Sequence, residues 1–382
     1  MPVSRSIEPA TADEKASLAR TFVGLCEIES PTGHEREVGQ AVRSELECAG
    51  LEVYEDDTAA ETGAECGNLL VRVAAPPGAR TIMMCAHLDT VPLEDSVEVE
   101  LIDGFYRNRR AAILGADNKA AVAMLIELAR RCSAAPPPVG IELLFTTSEE
   151  TGLRGAKAFD IDALEAEFGY VFDHATPIGE LIVAAPTYYR VTASFTGCAA
   201  HAGLRPEDGR NAIVAAAKAV TELRLGRLDD TTTTNVGMIE GGTATNVVAE
   251  RCVVDAEVRS LDDATAGARM REMVDACGWA ASECEVDLDT SVEQQFRAYR
   301  ISEREPVTRL AVAALSDCGI DPVLRSTGGG SDAHAFQARG FSCMNVANGT
   351  ERNHTADERV GAAALEGMLD VALRIVARAA EV

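Results

Sequence analysis

Apolar runs and amphipathic segments alternate along the first half of the chain. Short apolar runs that predict strands lie at residues 51–56, 68–74, 81–85, 139–146 and 169–175. A period of about 3.6 residues through Val38, Val42 and Leu46 predicts one helix. Residues 118–132 predict a second helix with a broad apolar face. Strands that alternate with helices in this way indicate an α/β domain with a mostly parallel sheet.

From about residue 184 the pattern changes to strands in which apolar and polar residues alternate. The strands are predicted at residues 187–197, 232–242, 245–261 and 284–296, and the helices at residues 209–226 and 262–280. The second and third strands are expected to meet at a Gly-Gly turn. The resulting order, βαββαβ, is that of ferredoxin-like domains.

After about residue 295 the α/β pattern resumes, with a helix predicted from Pro306 to Cys318. We therefore expect one α/β domain formed by residues 1–183 and 295–382, with a ferredoxin-like domain inserted at residues 184–294. Two domains agree with a length of 382 residues, because single hydrophobic cores rarely grow to that size.

Charge and composition limit the classes of molecule that the protein is expected to bind and the compartment in which it is expected to occur. The net charge of −26 repels phosphates, which argues against nucleic acid and anionic membranes. No apolar run approaches the roughly 18 residues of a membrane span, and the first 20 residues lack the apolar core of a signal peptide. The 11 cysteines form no CxxC pair, so we expect buried, reduced thiols and a cytoplasmic protein.

His87 and Asp89 stand two residues apart where the apolar run at residues 81–85 ends. On a strand, residues at this spacing project to the same face. A carboxylate beside a histidine is typical of a metal ligand, because it fixes the imidazole tautomer. A core histidine followed by a strand-end aspartate would leave the same pattern. The pair alone therefore does not indicate a metal site, and the rest of the chain has to be considered.

Further acidic and histidine residues follow strands or precede helices. They are Asp117, the adjacent Glu149 and Glu150, Asp173 and, near the C-terminus, His354. A helix cap or a solvated loop would explain each of them alone. Open α/β sheets bind ligands at the carboxyl ends of their strands, however, so we expect these residues to converge at one edge.

The charge of this cluster predicts cations. Asp117, Glu150 and Asp173 bring three negative charges, which repel one another unless positive charge lies between them. Two divalent ions would neutralise them. Mixed histidine and carboxylate ligands suit zinc, with cobalt or manganese as alternatives.

Six strings stand in a fixed order from residue 87 to residue 358: HLDTVP, GADNKAAVAM, SEETGLRGA, FD, GGGSDA and NHTADE. As a set they resemble the dizinc metallopeptidases that include carboxypeptidase G, aminoacylase and peptidase T. The match runs from about residue 15 to the C-terminus, and the last two strings most resemble the peptidase T-like branch. The resemblance implies that the inserted domain is a lid and dimerisation domain, and therefore a homodimer.

The resemblance also implies how the metals are held. His87 and Asp173 would hold one ion, Glu150 and His354 the other, and Asp117 would bridge both. A cis peptide bond is implied directly after the bridging aspartate.

Two further roles at this site follow from the resemblance. Asp89 would orient His87, and Glu149 would act as the general base. Water activated by the two ions would lose its proton to Glu149, which would return the proton to the leaving amine.

The inserted domain supplies the other candidates. His201 stands in TGCAAHAG, at the family's histidine that stabilises the oxyanion, in its own or in a partner subunit. Asn246 and Arg259 match substrate-binding positions, although a salt bridge on the strand surface would also explain Arg259. His174 is an extra group beside Asp173 or an exposed residue. His34 and His334 match no role and are interpreted as structural.

The leading interpretation is a metal-dependent exopeptidase for short peptides, an aminopeptidase of the tripeptidase kind. An N-acyl-amino-acid deacylase or dipeptidase of the same fold is the alternative, because all of them cleave an amide next to a recognised charge. A non-catalytic metal- or peptide-binding protein would not need Glu149. A thiol or redox enzyme would use Cys85, but no motif supplies a partner cysteine.

Overall fold

A computed structural model describes residues 8–175 and 177–381. Residues 1–7, part of the stretch in which no signal peptide is predicted, lie outside the described residues. The chain divides into two compact units. Unit 1 contains the chain up to Val183, Arg300–Ser326 and the chain from Ser331 onward, and unit 2 contains Ala184–Tyr299 and Thr327–Gly330.

The N-terminal part of unit 1 alternates helices and strands, as the apolar pattern predicts. Its helices are α1 (Ala12–Cys26), α2 (Arg36–Cys48), α3 (Ala59–Thr62), α4 (Ala116–Ala134) and α5 (Arg154–Ala158). Its strands are β1 (Val53–Glu55), β2 (Leu69–Val73), β3 (Thr81–His87), β4 (Val99–Ile102), β5 (Phe105–Asn108), β6 (Gly140–Thr146), β7 (Gly169–His174) and β8 (Glu180–Ala185).

In the order of the chain, the elements of unit 2 follow β8 and precede the C-terminal part of unit 1. Its elements are β9 (Thr187–Thr196), α6 (Ala212–Glu222), β10 (Gly226–Arg227), β11 (Thr232–Gly241), β12 (Arg251–Ser260), α7 (Asp263–Glu283) and β13 (Asp287–Phe296). The C-terminal part then adds β14 (Tyr299–Arg300), α8 (Pro306–Asp317), β15 (Val323–Ser326), α9 (Ala333–Ala338), β16 (Cys343–Ala347), β17 (Thr350–Glu351), β18 (Arg359–Gly361) and α10 (Ala362–Ala379).

A nine-stranded sheet forms the centre of unit 1, in the order β1-β2-β6-β3-β7-β16-β8-β14, with β15 paired to β8. Strands β6, β3, β7 and β16 run parallel to one another, and the pairs β1-β2, β2-β6 and β16-β8 are antiparallel. All residues of β6 are buried, which is typical of a parallel strand covered on both faces. The predicted α/β domain with its mostly parallel central sheet is confirmed.

Helix α4 covers the middle of this sheet. It packs against β3 and β7 on one side and against α1, α2 and α10 on the other. Most of its side chains are therefore buried, and this explains the broad apolar face seen in the sequence. Among the helices of the described residues, none combines the length and apolarity that crossing a membrane requires.

A second, four-stranded sheet in the order β17-β18-β5-β4 was not predicted from the sequence. Its strands are two to four residues long, and β4 has no buried residue. Strands this short and this exposed have no apolar alternation that could reveal them.

Unit 2 is a five-stranded antiparallel sheet in the order β10-β11-β12-β9-β13. Leaving out the two-residue β10, the chain order β9-α6-β11-β12-α7-β13 is the predicted βαββαβ pattern. Alternate residues of β12 are buried, among them Cys252 and Val254, which pack with Ala216 of α6 and Ala280 of α7. The ferredoxin-like prediction is confirmed.

The predicted Gly-Gly turn between β11 and β12 is wrong. Strand β11 ends at Gly241, but β12 begins only at Arg251. The intervening segment leaves the hairpin, because the backbone N–H of Ala202 donates to the Asn246 carbonyl (2.9 Å) and that of Val248 donates to the Ala200 carbonyl (2.9 Å). Hydrogen bonds to a different segment therefore replace the expected turn.

Candidate metal centre

The parallel strands of unit 1 bring the predicted ligands to one edge of the sheet. His87 is the last residue of β3, Asp173 is the penultimate residue of β7, and Glu150 lies in the loop that follows β6. The register keeps these ends level, because His87 lies opposite Thr146 of β6. Convergence at the carboxyl edge thus follows directly from the parallel pairing.

The remaining two ligand candidates come from segments outside the sheet. Asp117 lies in the first turn of α4, where the helix is irregular and the Asp117–Asn118 peptide bond is cis, as the resemblance implies. His354 lies in the connection between β17 and β18 and has a left-handed backbone (φ 63°).

Asp117 lies between the two histidines. Its Oδ1 is 3.5 Å from Nε2 of His87, and its Oδ2 is 3.5 Å from Nε2 of His354. Two ligand atoms on a tetrahedral zinc ion are separated by roughly 3.4 Å, given bond lengths of about 2.1 Å. The spacing on both sides of Asp117 therefore fits ions placed between the pairs better than it fits direct hydrogen bonds.

Each histidine also meets a second carboxylate. Nε2 of His87 is 3.5 Å from Asp173 Oδ1, and Nε2 of His354 is 3.0 Å from Glu150 Oε1. Among the described residues, two sets of three offer ligand atoms within 4.8 Å of one another: His87, Asp117 and Glu150, and His87, Glu149 and Asp173. The structure brings all five predicted ligands together, and their atoms suit two metal ions.

The electrostatics of the cluster call for positive charge. Burial would lower the pKa of His87, but the carboxylates of Asp117 and Asp173 outweigh it and raise that pKa well above its usual value. Contacts with Asp117 and Glu150 raise the pKa of His354 to about 10. Without cations these carboxylates hold protons on the imidazoles, and metal ions would supply the same charge.

One carboxylate oxygen of the cluster is left without a hydrogen-bond partner in the described part of the chain. Oδ1 of Asp117 is buried and has no hydrogen-bond partner among the described residues. Buried carboxylate oxygens normally accept hydrogen bonds or coordinate a metal. This oxygen points toward His87, on the side where the first ion would lie.

Asp89 departs from the expected contact with His87. Strand β3 ends at His87, so strand geometry does not extend to Asp89. Nδ1 of His87 is 2.9 Å from the backbone carbonyl oxygen of Asp89, whereas the carboxylate Oδ1 is 3.6 Å away. The carboxylate instead accepts hydrogen bonds from the backbone N–H groups of Glu149 and Glu150.

Sequence reasoning missed two residues that hold Asp117. The carboxylate of Glu358 accepts hydrogen bonds from the backbone N–H groups of Leu114 (2.7 Å), Gly115 (2.7 Å) and Asp117 (2.9 Å). Nδ2 of Asn353 donates to Asp117 Oδ2 at 2.7 Å. Both residues stand in NHTADE, and their presence in that string is the only sequence signal that could have found them.

Within unit 2, two of the three candidates are neighbours. His201 and Asn246 are both exposed, and His201 forms an antiparallel bridge with Val247. Nδ1 of His201 accepts a hydrogen bond from the backbone N–H of Gly203 (3.2 Å).

Arg259 lies on β12 and has partners of its own. Its Nη2 is 3.1 Å from Glu257 Oε2, its Nη1 donates to the Gly328 carbonyl, and its guanidinium stacks on Tyr188 at 4.2 Å from the ring centroid. The strand-surface salt bridge named as an alternative is thus present.

The other histidines and Cys85 lie outside the two ligand groups. His34 contacts Glu65, His174 lies 3.7 Å from Glu180, and His334 is buried. Burial raises the pKa of the Cys85 thiol well above its usual value, so Cys85 is not a thiolate nucleophile.

Comparison with known proteins agrees with this fold. Residues 68–173 match the model of peptidase family M28, and residues 187–284 match a peptidase dimerisation domain. The fold and the ligand cluster thus define a metallopeptidase.

Individual similar proteins indicate which kind of metallopeptidase the chain resembles. The chain is 35% identical to aminopeptidase PepT from Bacillus cereus, with a TM-score of 0.85, over 96% of this chain and 99% of that one. It is 31% identical to a tripeptidase from Staphylococcus aureus, with a TM-score of 0.91 and the same coverage. It is also 34% identical to protein YqjE of Bacillus subtilis, over 95% of this chain and 98% of that protein. The chain belongs to the peptidase T-like family of metallopeptidases and is a metal-dependent exopeptidase.

Proposed function

We propose that the chain is an aminopeptidase of the tripeptidase kind that hydrolyses short peptides with two zinc ions. The observation that carries the proposal is the position of Asp117, whose two oxygens lie 3.5 Å from different imidazoles. The relatives named aminopeptidase and tripeptidase, at 35% and 31% identity, support the choice of substrate.

In this proposal five side chains hold the ions. His87 and Asp173 would hold one, Glu150 and His354 would hold the other, and Asp117, whose two oxygens face different histidines, would contribute to both. When bound, two divalent ions polarise the scissile carbonyl and lower the pKa of water toward about 7. The three ligand carboxylates carry three negative charges and the two neutral imidazoles carry none, so two divalent ions would offset the negative charge of the cluster, which supports the assignment.

Glu149 is the proposed general base. It is 9% exposed and lies beside His87 and Asp173. Burial and the nearby charge of Asp173 raise the pKa of Glu149 well above its usual value, and perturbed pKa values of this kind are typical of catalytic acid–base residues. Glu149 takes one proton from the attacking water and gives it to the leaving amine.

His201 is the proposed oxyanion donor. Because its Nδ1 accepts a hydrogen bond from Gly203, the neutral imidazole carries its proton on Nε2. An Nε2–H group can donate to the oxygen on which negative charge develops in the tetrahedral intermediate. The histidine would act in its own or in a partner subunit.

Arg259 is the proposed anchor for a substrate carboxylate, with Asn246 as a second substrate contact. A guanidinium has five N–H donors, and the contacts with Glu257 and Gly328 use three of them. The two remaining donors can bind carboxylate oxygens.

We also propose a homodimer that pairs through the inserted domain, and a cytoplasmic location. The match to a peptidase dimerisation domain supports the dimer. All eleven cysteines are free, and seven of them are buried, which suits a reducing compartment. The net charge of −26 is unfavourable for nucleic acid and anionic membranes as partners.

A substrate screen tests the proposal. Tripeptides, dipeptides and N-acetyl amino acids are offered to protein loaded with zinc, cobalt or manganese. We expect the highest kcat/KM with tripeptides that have a free N-terminus, and much lower values when that terminus is acetylated. Preferential cleavage of N-acetyl amino acids or of dipeptides would replace the tripeptidase assignment with the corresponding alternative.

A further inference from the structure

Side chains from three other segments hold the loop that follows β6 and carries Glu149. Four consecutive backbone N–H groups donate to side-chain oxygens: Thr147 to Asn68 Oδ1 (3.0 Å), Ser148 to Glu35 Oε1 (3.1 Å), Glu149 to Asp89 Oδ1 (2.9 Å) and Glu150 to Asp89 Oδ2 (3.1 Å). We call these three side chains, Glu35, Asn68 and Asp89, the loop clamp. Each clamp residue contacts the loop backbone. The clamp therefore fixes the backbone positions from which the side chains of the loop project.

The loop backbone needs this support. Ser148 has a left-handed conformation (φ 53°), which residues other than glycine rarely adopt. The opposite side of the loop is held too, because the N–H groups of Arg154 and Gly155 donate to the carbonyls of Ser148 and Thr147 (both 3.0 Å). A β-carbon at Gly155 would lie 2.2 Å from the Thr147 carbonyl oxygen, so the packing leaves no slack there.

The proposed mechanism gives no role to Glu35 or Asn68, and Glu35 is the charged residue of these two. It occupies the N-cap position of α2, yet its side chain does not cap that helix. Its Oε1 accepts hydrogen bonds from the N–H of Gly33 (2.9 Å) and from the N–H and hydroxyl of Ser148.

Stability alone gives a poor account of this carboxylate. Glu35 is fully buried, and its Oε2 has no hydrogen-bond partner among the described residues. Burial raises the pKa of Glu35, so the ionised form destabilises the folded state at neutral pH. A cost of this kind is typical of residues that serve a functional site.

We propose that Glu35 is a positioning residue for the general base. Its Oε1 fixes the Ser148 peptide, and this peptide sets the direction in which the Glu149 side chain leaves the loop. Glu35 touches no ligand residue and no reacting atom in this account, which rests on the proposed role of Glu149. A displacement of about 1 Å at a catalytic group can lower the rate by about 100-fold.

A pair of substitutions separates the position of Oε1 from the charge of Glu35. Glu35→Gln keeps an oxygen at the Oε1 position and places the amide nitrogen where Oε2 has no partner. Glu35→Asp keeps the charge but is one methylene shorter, so its oxygens withdraw from Ser148. Glu37→Asp, at an exposed position on the same helix, is the matched control.

Steady-state kinetics, metal content and thermal midpoint are measured for each holoenzyme variant. We expect Glu35→Gln to keep kcat within about 3-fold of wild type and to melt no earlier. Glu35→Asp should lower kcat by about 10- to 100-fold, with KM within about 3-fold and both ions still bound. This split distinguishes positioning from a general loss of structure, which would lower metal content as well.

The proposal is overturned if Glu35→Asp has wild-type kcat, or if Glu35→Gln is as impaired as Glu35→Asp. Glu149→Gln, assayed beside them, separates this failure from that of the proposed function. An inactive Glu149→Gln with a fully active Glu35→Asp rejects only the role of Glu35. A fully active Glu149→Gln rejects the general base itself.

Discussion

At the scale of single residues, one carboxylate joins two histidines that come from distant parts of the chain. Asp117 meets His87 through one oxygen and His354 through the other. Asn353 and Glu358 hold its side chain and its backbone, respectively. A carboxylate fixed in this way can bridge two cations with little reorganisation when they bind.

Replacing each of the adjacent residues Glu149 and Glu150 should have a different effect. Glu149→Gln keeps size and hydrogen bonding but cannot accept a proton from water, so kcat should fall by about 10²–10⁴ while metal content stays near normal. Glu150→Gln should instead reduce metal content, because it removes a ligand that lies 3.0 Å from His354. Elemental analysis with tripeptide kinetics checks both. Loss of metal in Glu149→Gln would mean that the two roles are exchanged.

Metal binding should release protons, and its affinity should rise with pH. In metal-free protein the pKa of His354 is raised to about 10 and that of His87 is also raised, so both imidazoles are protonated at neutral pH. Cations bind the deprotonated forms, so binding becomes easier as the pH approaches 10. Calorimetry in two buffers of different ionisation enthalpy at pH 7.5 measures the released protons. Binding without proton release would contradict the charge state described for the cluster.

The proposed ligands could be predicted from the sequence, whereas the residues that hold them in place could not. His87 and Asp173 follow strong apolar runs, and the quoted strings carry the others. Glu35 and Glu358 bind backbone N–H groups on loops far away in the sequence. Nearly every residue type has the same backbone N–H group, so the sequence does not show which of these groups a distant side chain will bind.

At the scale of elements, parallel pairing explains why the site forms where it does. Strands β3, β6 and β7 lie next to one another and end at the same edge. The alternation of strands and helices predicted this sheet, and the βαββαβ order predicted unit 2. The small β17-β18-β5-β4 sheet and the path of residues 242–250 depend on pairings between distant segments, which local patterns do not contain.

The backbone around the start of α4 should become less ordered when Glu358 is replaced, because Glu358 binds three of its N–H groups. Glu358→Ala leaves three N–H groups without their acceptor, and each buried group left unpaired costs about 1–3 kcal/mol. We expect a lower thermal midpoint and weaker metal binding, with Glu358→Gln intermediate because its amide keeps one oxygen. Asp357→Asn, at a side chain that is 78% exposed, is the neighbouring control. A Glu358→Ala protein with wild-type metal affinity would contradict this.

At the scale of the whole molecule, the chain combines a metal-binding α/β unit with a unit that matches a peptidase dimerisation domain. The proposed oxyanion donor His201 belongs to the second unit, and all five proposed ligand residues belong to the first. The proposed mechanism therefore depends on both units, in one subunit or across a dimer.

Mixing two inactive variants tests whether His201 acts across the dimer. His201→Ala should lower kcat strongly while both ions stay bound, because only stabilisation of the oxyanion is lost. After subunit exchange with Glu149→Gln, one site of each hybrid would combine an intact Glu149 with the partner's intact histidine. Recovered activity is expected for this arrangement. No recovery after verified exchange would exclude action across the dimer, and wild-type kcat in His201→Ala would remove the histidine from the mechanism.

The proposed catalysis depends most directly on two ions, which His87, Asp117, Glu150, Asp173 and His354 would hold. One titration tests this dependence. Protein depleted of metal by a chelator receives zinc in steps, and tripeptide hydrolysis is followed together with bound metal by elemental analysis. We expect no activity in the depleted protein and full recovery at two ions per chain. Full activity in protein shown to contain no metal would contradict the central claim.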